Sequence, residues 1–266
     1  MEKLINRVQA ITTEAGGTWG IVLKDITTNE RWAFNEREMF YSASVVKIPI
    51  MAAVYQAAEQ GKFTLDDKLP LNAKDLVGGA GVLQHMTPGT KIAIRDIVTL
   101  MIIQSDNSAT NILIDLAGVE FIAEFMKEIG MTDSTFYNKL MIKSSKRTGS
   151  NMTNALDNAT FLEKLHNGEI VSAQVSKGML NIMKKQQVKN CLPHKLPYQE
   201  IKTDDEGPPW KLAHKTGWIP GLRHDVGIFY VESKPFIASV FSKDVNDLAS
   251  EAALADIGKE IYTYLS

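Results

Sequence analysis

Strand-forming segments lie close to the two ends of this chain, and nearly everything between them reads as helix. Near the start, residues 18–25 and 31–34 are rich in Trp, Ile, Val and Phe and are separated by a polar turn at 27–30. Near the end, residues 226–231 and 236–241 form a second such pair around a Glu-Ser-Lys-Pro turn. Helical spacing brackets the whole, with Leu4, Ile5, Val8 and Ile11 in residues 2–14 and a last helix over 249–264. Between the pairs the periodicity predicts helices at 44–60, 94–104, 107–117, 119–129, 153–167 and 172–186. Residues 62–91 are loop-rich, and 187–211 are polar and contain proline.

Strands at both ends with helices between them fit an α+β fold. The simplest assembly is a mostly antiparallel sheet built from both chain ends and flanked by the end helices, with an all-helical insertion. On this reading residues 1–40 and 212–266 form one α/β lobe and 41–211 a mainly helical lobe. A cleft between the lobes is the expected site.

Composition removes several classes of function. A net charge of -2, with no long run of one sign, gives nucleic acid no electrostatic footprint. The locally basic 139–147 reads as a solvated loop. One cysteine, Cys191, excludes an intrachain disulfide. The five histidines form no zinc-binding spacing, so neither a metal nor another cofactor is expected. Gly78-Gly79-Ala80-Gly81 is a flexible stretch without the strand and lysine of a phosphate loop. No segment is long and apolar enough for a membrane span. The first residues lack the apolar core of a signal peptide, so the chain as written reads as cytoplasmic, or extracytoplasmic if a leader has been removed. A monomer is expected.

Three polar islands carry chemistry. Ser44 and Lys47 lie three positions apart at the start of an apolar helix, which puts both on one face. A serine hydroxyl needs a neighbouring base, and a lysine among Val45, Val46, Ile48 and Ile50 is disfavoured in its charged form. An N-cap serine with a snorkelling lysine accounts for the pair alone equally well. The second island, Ser105-Asp106-Asn107, ends a helix that is apolar almost all round; a C-cap explains Asn107 without chemistry. The third, Lys215-Thr216-Gly217, is by itself an ordinary edge strand with a lysine.

SxxK, SDN and KTG in that order are the signature of penicillin-recognising serine enzymes. Over nearly its whole length the chain resembles class A β-lactamases and their penicillin-binding-protein relatives, which have the β-lactamase/transpeptidase-like fold. The resemblance implies a role for each residue. Ser44 attacks an amide carbonyl to form an acyl-enzyme and Lys47 takes its proton. Ser105 passes a proton to the leaving nitrogen, and Asn107 holds the substrate's side-chain amide. Lys215 and Thr216 bind the substrate carboxylate, and Lys215 keeps the local potential positive. Gly217 lets the substrate lie along the strand, and the N–H groups of Ser44 and Trp218 form the oxyanion hole. Trp218 is bulkier than the residue usual there and narrows the cleft. Arg223 lies about one residue from the position of the family's carboxylate-steadying arginine; a surface pair with Asp225 is the alternative. His214 and His224 read as structural neighbours.

One element of the class A pattern is missing. The loop glutamate that activates the deacylating water should fall near 139–145, and there is no Asp or Glu from Ser134 through Leu156. The expected substrates are small molecules, β-lactams or D-alanyl peptides. The implied function is a serine hydrolase acting on β-lactam amides through a Ser44 acyl-enzyme with slow deacylation. The alternatives are a DD-peptidase-like hydrolase of D-alanyl peptides and a covalent β-lactam sensor without turnover.

Overall fold

The computed structural model describes residues 1–141, 146–197 and 210–266. Helix α1 (Glu2–Ala15) buries Leu4, Val8 and Thr12, one every four residues, and leads into β1 (Thr18–Asp25) and β2 (Arg31–Phe34). A short strand β3 (Phe40–Tyr41) and a 3-10 turn (Ala43–Val46) precede α2 (Lys47–Glu59). Strands β4 (Lys68–Pro70) and β5 (Lys91–Ala93) pair with each other and lead into α3 (Ile94–Ile103), α4 (Asn107–Ala117) and α5 (Val119–Glu128). Then come β6 (Met152–Thr153), α6 (Ala155–Asn167), α7 (Ala173–Met183), β7 (Trp210–Ile219), β8 (Leu222–Val231), β9 (Lys234–Lys243) and α8 (Asp247–Leu265).

Both chain ends build the main sheet, whose order is β2-β1-β9-β8-β7 with every pair antiparallel. Its central strands are buried on both faces, so the two-residue alternation sorts one core from another. Ile21, Leu23, Phe229 and Val240 pack with α1 and α8 through Val8, Ile257 and Ile261. Val22, Val226, Ile228 and Phe241 face the other way, onto a core centred on α2 and α3. Helix α2 is apolar almost all round, and its first residue, Lys47, is fully buried.

The expected helices and strands are all present, with ends shifted by a few residues. The helix expected to begin at Ser44 starts as a 3-10 turn, and α7 ends at Met183 rather than 186. Asn107 is the first residue of α4, not the C-cap of α3; the N-cap is Asp106, whose Oδ1 accepts from the Ala109 N–H at 2.9 Å. Much of the polar 187–211 stretch, residues 198–209, lies outside the described residues. No helix among the described residues is long and apolar enough to cross a membrane.

Candidate active site

Lys47 is the hub of the site. Its Nζ lies 3.0 Å from Ser44 Oγ, 3.0 Å from Ser105 Oγ, 2.6 Å from the Ser105 carbonyl and 2.9 Å from Asn107 Oδ1. Burial, and then the Lys215 charge, lower its pKa well below the usual lysine value, against a smaller opposing pull from Asp106. A neutral amine has two N–H bonds and one lone pair. The Ser105 carbonyl and Asn107 Oδ1 can only accept, so they take the two N–H bonds, and the lone pair is left for a hydroxyl. This is the arrangement a general base for Ser44 requires.

Lys215 approaches the same group from the sheet. Its Nζ donates to Ser105 Oγ at 3.0 Å and to the Thr216 carbonyl at 2.8 Å. The Ser105 hydroxyl therefore sits between two lysine amines. Burial pulls the Lys215 pKa down to about 7, with Asp225 and Cys191 acting in the opposite direction. Two backbone conformations support the geometry: Ala43, just before Ser44, has φ 43° and Ser105 has φ 54°. Non-glycine residues adopt that region at a cost and concentrate at functional sites.

Ser44 opens into a cavity of about 400 Å³ whose walls include Tyr41, Asn107, Leu140, Met141, Arg147 and Trp218. Among the described residues none that lines it is acidic. Gly217 is where the strand meets the nucleophile's turn, because a Cβ there would lie 3.1 Å from Val45 Cγ2 and 3.3 Å from Ala43 Cβ. Its lack of a side chain thus lets the Ser44 turn dock on β7.

A model of the "Beta-lactamase enzyme family" matches residues 3–265 of the chain. The chain belongs to that family. Among curated proteins it is similar to a beta-lactamase of Rhodobacter capsulatus, 26% identical over 98% of this chain and 88% of that one. It is also similar to beta-lactamase CARB-4 of Pseudomonas aeruginosa, 26% identical over 93% and 85%. Among solved structures, a beta-lactamase from Sphaerobacter thermophilus superposes with a TM-score of 0.89 at 30% identity, covering 99% of this chain and 97% of that one. PBP-A superposes with a TM-score of 0.85 at 26% identity, covering 99% and 96%. The fold is thus the α+β β-lactamase fold, and the family acts on small-molecule β-lactams.

The three family motifs meet in space. Ser44, Lys47, Ser105, Asn107 and Lys215 form one connected set of hydrogen bonds, and Trp218 lines the Ser44 cavity. Thr216 is nearly buried, on the opposite face of β7 from Lys215 and Gly217. Arg223 is not brought to the cavity. It pairs with Trp218 in the β7–β8 ladder, so it shares that face of the sheet, and its Nη1 makes an ion pair with Glu251 of α8 at 2.7 Å. Its guanidinium lies over the Trp218 ring, 5.6 Å from the ring centre. The alternative pairing with Asp225 is not formed either, because Asp225 takes His214 Nδ1 at 2.9 Å and the Leu192 N–H at 3.1 Å.

Several residues that hold the site have no role assigned from the sequence. Asp106 accepts from the Val82 and Leu83 N–H groups at 2.6 and 2.7 Å besides capping α4. The glycine-rich stretch is thereby bound rather than loose. The Asn107 N–H donates to the Ala80 carbonyl and its Nδ2 to the Gly78 carbonyl, while Gln84 bonds the carbonyls of Gly79 and Gly81. Gly81, at φ 106°, is pressed against Asp106, whose Cγ would be 2.2 Å from an added Cβ. Asn111 clamps Leu140 at both ends, with Oδ1 accepting from its N–H at 2.8 Å and Nδ2 donating to its carbonyl at 2.9 Å. Asn151 closes the same loop by bonding both backbone groups of Asn138, and its own carbonyl accepts from the Ser42 N–H. Of the stretch where the family's loop glutamate is expected, residues 142–145 lie outside the described residues.

Cys191 is not a competing nucleophile, because it is buried and its thiol pKa is pushed far up by burial. Among the described residues no cluster of His, Cys, Asp or Glu is placed to hold a metal ion.

Proposed function

We propose that this chain is a serine hydrolase of β-lactam amides that acylates at Ser44 and releases the acyl group slowly. The observation that carries the reading is the Lys47 amine, buried beside Ser44 Oγ with its N–H bonds already directed to two carbonyl acceptors. Ser44 Oγ adds to the β-lactam carbonyl as its proton passes to Lys47 Nζ. Lys47 returns a proton through Ser105 Oγ, 3.0 Å away, to the ring nitrogen as the C–N bond breaks. The N–H groups of Ser44 and Trp218 receive the developing oxyanion, a role that the docking of the Ser44 turn on β7 supports. Lys215, in its charged form, receives the substrate carboxylate, and Asn107 Nδ2, which donates one N–H to the Gly78 carbonyl, offers its second to the side-chain amide.

Hydrolysis of the ester needs a base on the far side, and the described lining from the loop that would carry it is Leu140, Met141 and Arg147. One positioned base typically contributes ~10²–10⁴-fold. A shortfall of that size turns a fast lactamase into a slow one. A mutant of PBP-A has been solved as an acyl-enzyme complex with penicillin-G. The likeness to PBP-A keeps a second reading in play, a hydrolase of D-alanyl peptides with the same first half-reaction. A covalent sensor would stop at the ester.

The test is incubation with a chromogenic cephalosporin, following colour and intact mass together. A burst matching one ring opening per chain, a mass adduct at Ser44 that decays over minutes, and loss of both in Ser44→Ala are expected. Rapid sustained turnover would overturn slow release, and an adduct that never decays would favour the sensor. No adduct with β-lactams but cleavage of a D-Ala-D-Ala peptide would favour the peptidase.

A further inference from the structure

A second cavity, of about 450 Å³, lies away from Ser44 along the outer edge of β7, with Lys184, Lys185, Lys189, Lys211, Gln186 and Trp210 in its walls. We propose that it binds a small multiply charged anion of the phosphate-ester or polyphosphate type.

Four lysines line it from two separate parts of the chain, three from the segment after α7 and one from β7, and the Lys211 charge acts on Lys184. None of the four is in an ion pair among the described residues. Among the described residues no acidic side chain lines the cavity, although the chain as a whole carries 31 acidic residues against 29 basic ones. Mutual repulsion makes such a cluster unfavourable when empty, and a ligand with two or more negative charges relieves it most. Lys184 is half-buried, with its Nζ 4.2 Å from the centre of the Tyr230 ring. Burial and the Lys211 charge hold its pKa below the usual lysine value.

The wall is built rather than loose. Gln186 is buried, its Nε2 donates to the Ile102 carbonyl at 2.9 Å, and its Oε1 accepts from the N–H groups of Gln187 and Val188. Lysines present compact point charges on flexible stems, which suits phosphate oxygens more than the planar fork a carboxylate prefers. The volume falls within the ~300–1,000 Å³ of small-ligand pockets.

The probe is inorganic pyrophosphate, titrated calorimetrically into the whole chain at low salt, with ATP as a second ligand. We expect one site per chain, an affinity that weakens steeply with added salt, and a loss of tenfold or more in K184Q/K211Q. The melting temperature of that variant checks its fold. The run Asp204-Asp205-Glu206 just before Trp210 is itself acidic, so the titration is repeated in D204N/D205N/E206Q. Heat in neither protein, or equal affinity in K184Q/K211Q, overturns the proposal.

Discussion

A fully buried lysine beside a second buried lysine is held neutral unless an anion reaches it, and Lys47 has only the opposing pull of Asp106. Replacing it by methionine keeps the bulk and removes the lone pair. Acylation of Ser44 should then fall by ~10²–10⁴-fold, read as the rate at which a fluorescent penicillin labels the chain. Lys215 has the opposite requirement, since it binds the substrate carboxylate only while charged. The labelling rate should therefore rise with pH as Lys47 loses its proton, then fall above about 7 as Lys215 loses its own. A rate still climbing at pH 9 would show that the Lys215 charge is not used. Leu140 is the third residue of interest, because Asn111 fixes its backbone while its side chain lines the Ser44 cavity. A Leu140→Glu variant should release the acyl group ~10²-fold faster or more, seen as a shorter-lived mass adduct with an unchanged burst.

At the scale of elements, the helix-to-helix corner at Ser105–Asn107 depends on one carboxylate. Asp106 satisfies three backbone N–H groups, two from the 78–83 segment and one from α4. Asp106→Ala leaves them without an acceptor and should cost about 3 kcal/mol, measured by urea unfolding. The same change frees the wall that carries Asn107, so labelling of Ser44 should slow as well. Sequence reading finds the helices on either side of this corner, because their apolar periodicity is strong. A C-cap stands there as the reading of Asn107 without chemistry, beside the substrate-binding role the resemblance implies, because a side chain's partners across thirty residues leave no mark in local spacing. β7 is legible only as an edge strand, since Lys215, Thr216 and Gly217 break the apolar alternation just where the site needs them. Arg223 is misplaced for a related reason. Counting from the motif ignores the ladder, in which Trp218 opposite Arg223 turns the guanidinium toward α8. The Asn111 and Asn151 clamps are invisible because their partners are backbone groups of a loop with no periodic pattern.

Across the whole molecule, the sheet and the nucleophile's segment are joined through His224. Its ring is fully buried between Phe40 and Phe241, with Nε2 3.0 Å from the Tyr41 carbonyl and Nδ1 3.3 Å from the Ser242 N–H. The Ser242 N–H can only donate, so Nδ1 accepts and the proton sits on Nε2, which donates to Tyr41. Protonating Nδ1 would break that bond and bury a charge. Burial accordingly brings the His224 pKa down to about 4, whereas in the unfolded chain it is ~6.5. Between those values the unfolded state binds the proton and the folded state does not, so stability falls as pH drops from about 6.5 toward about 4. This one group should remove about 3 kcal/mol across that window, at ~1.4 kcal/mol per pH unit. Urea midpoints at pH 7 and pH 4.5 measure the loss, and His224→Gln, which keeps a donor and an acceptor but does not titrate, should flatten it. An equal loss in the variant would place the acid sensitivity elsewhere, and the link from sheet to Ser44 would then be packing alone.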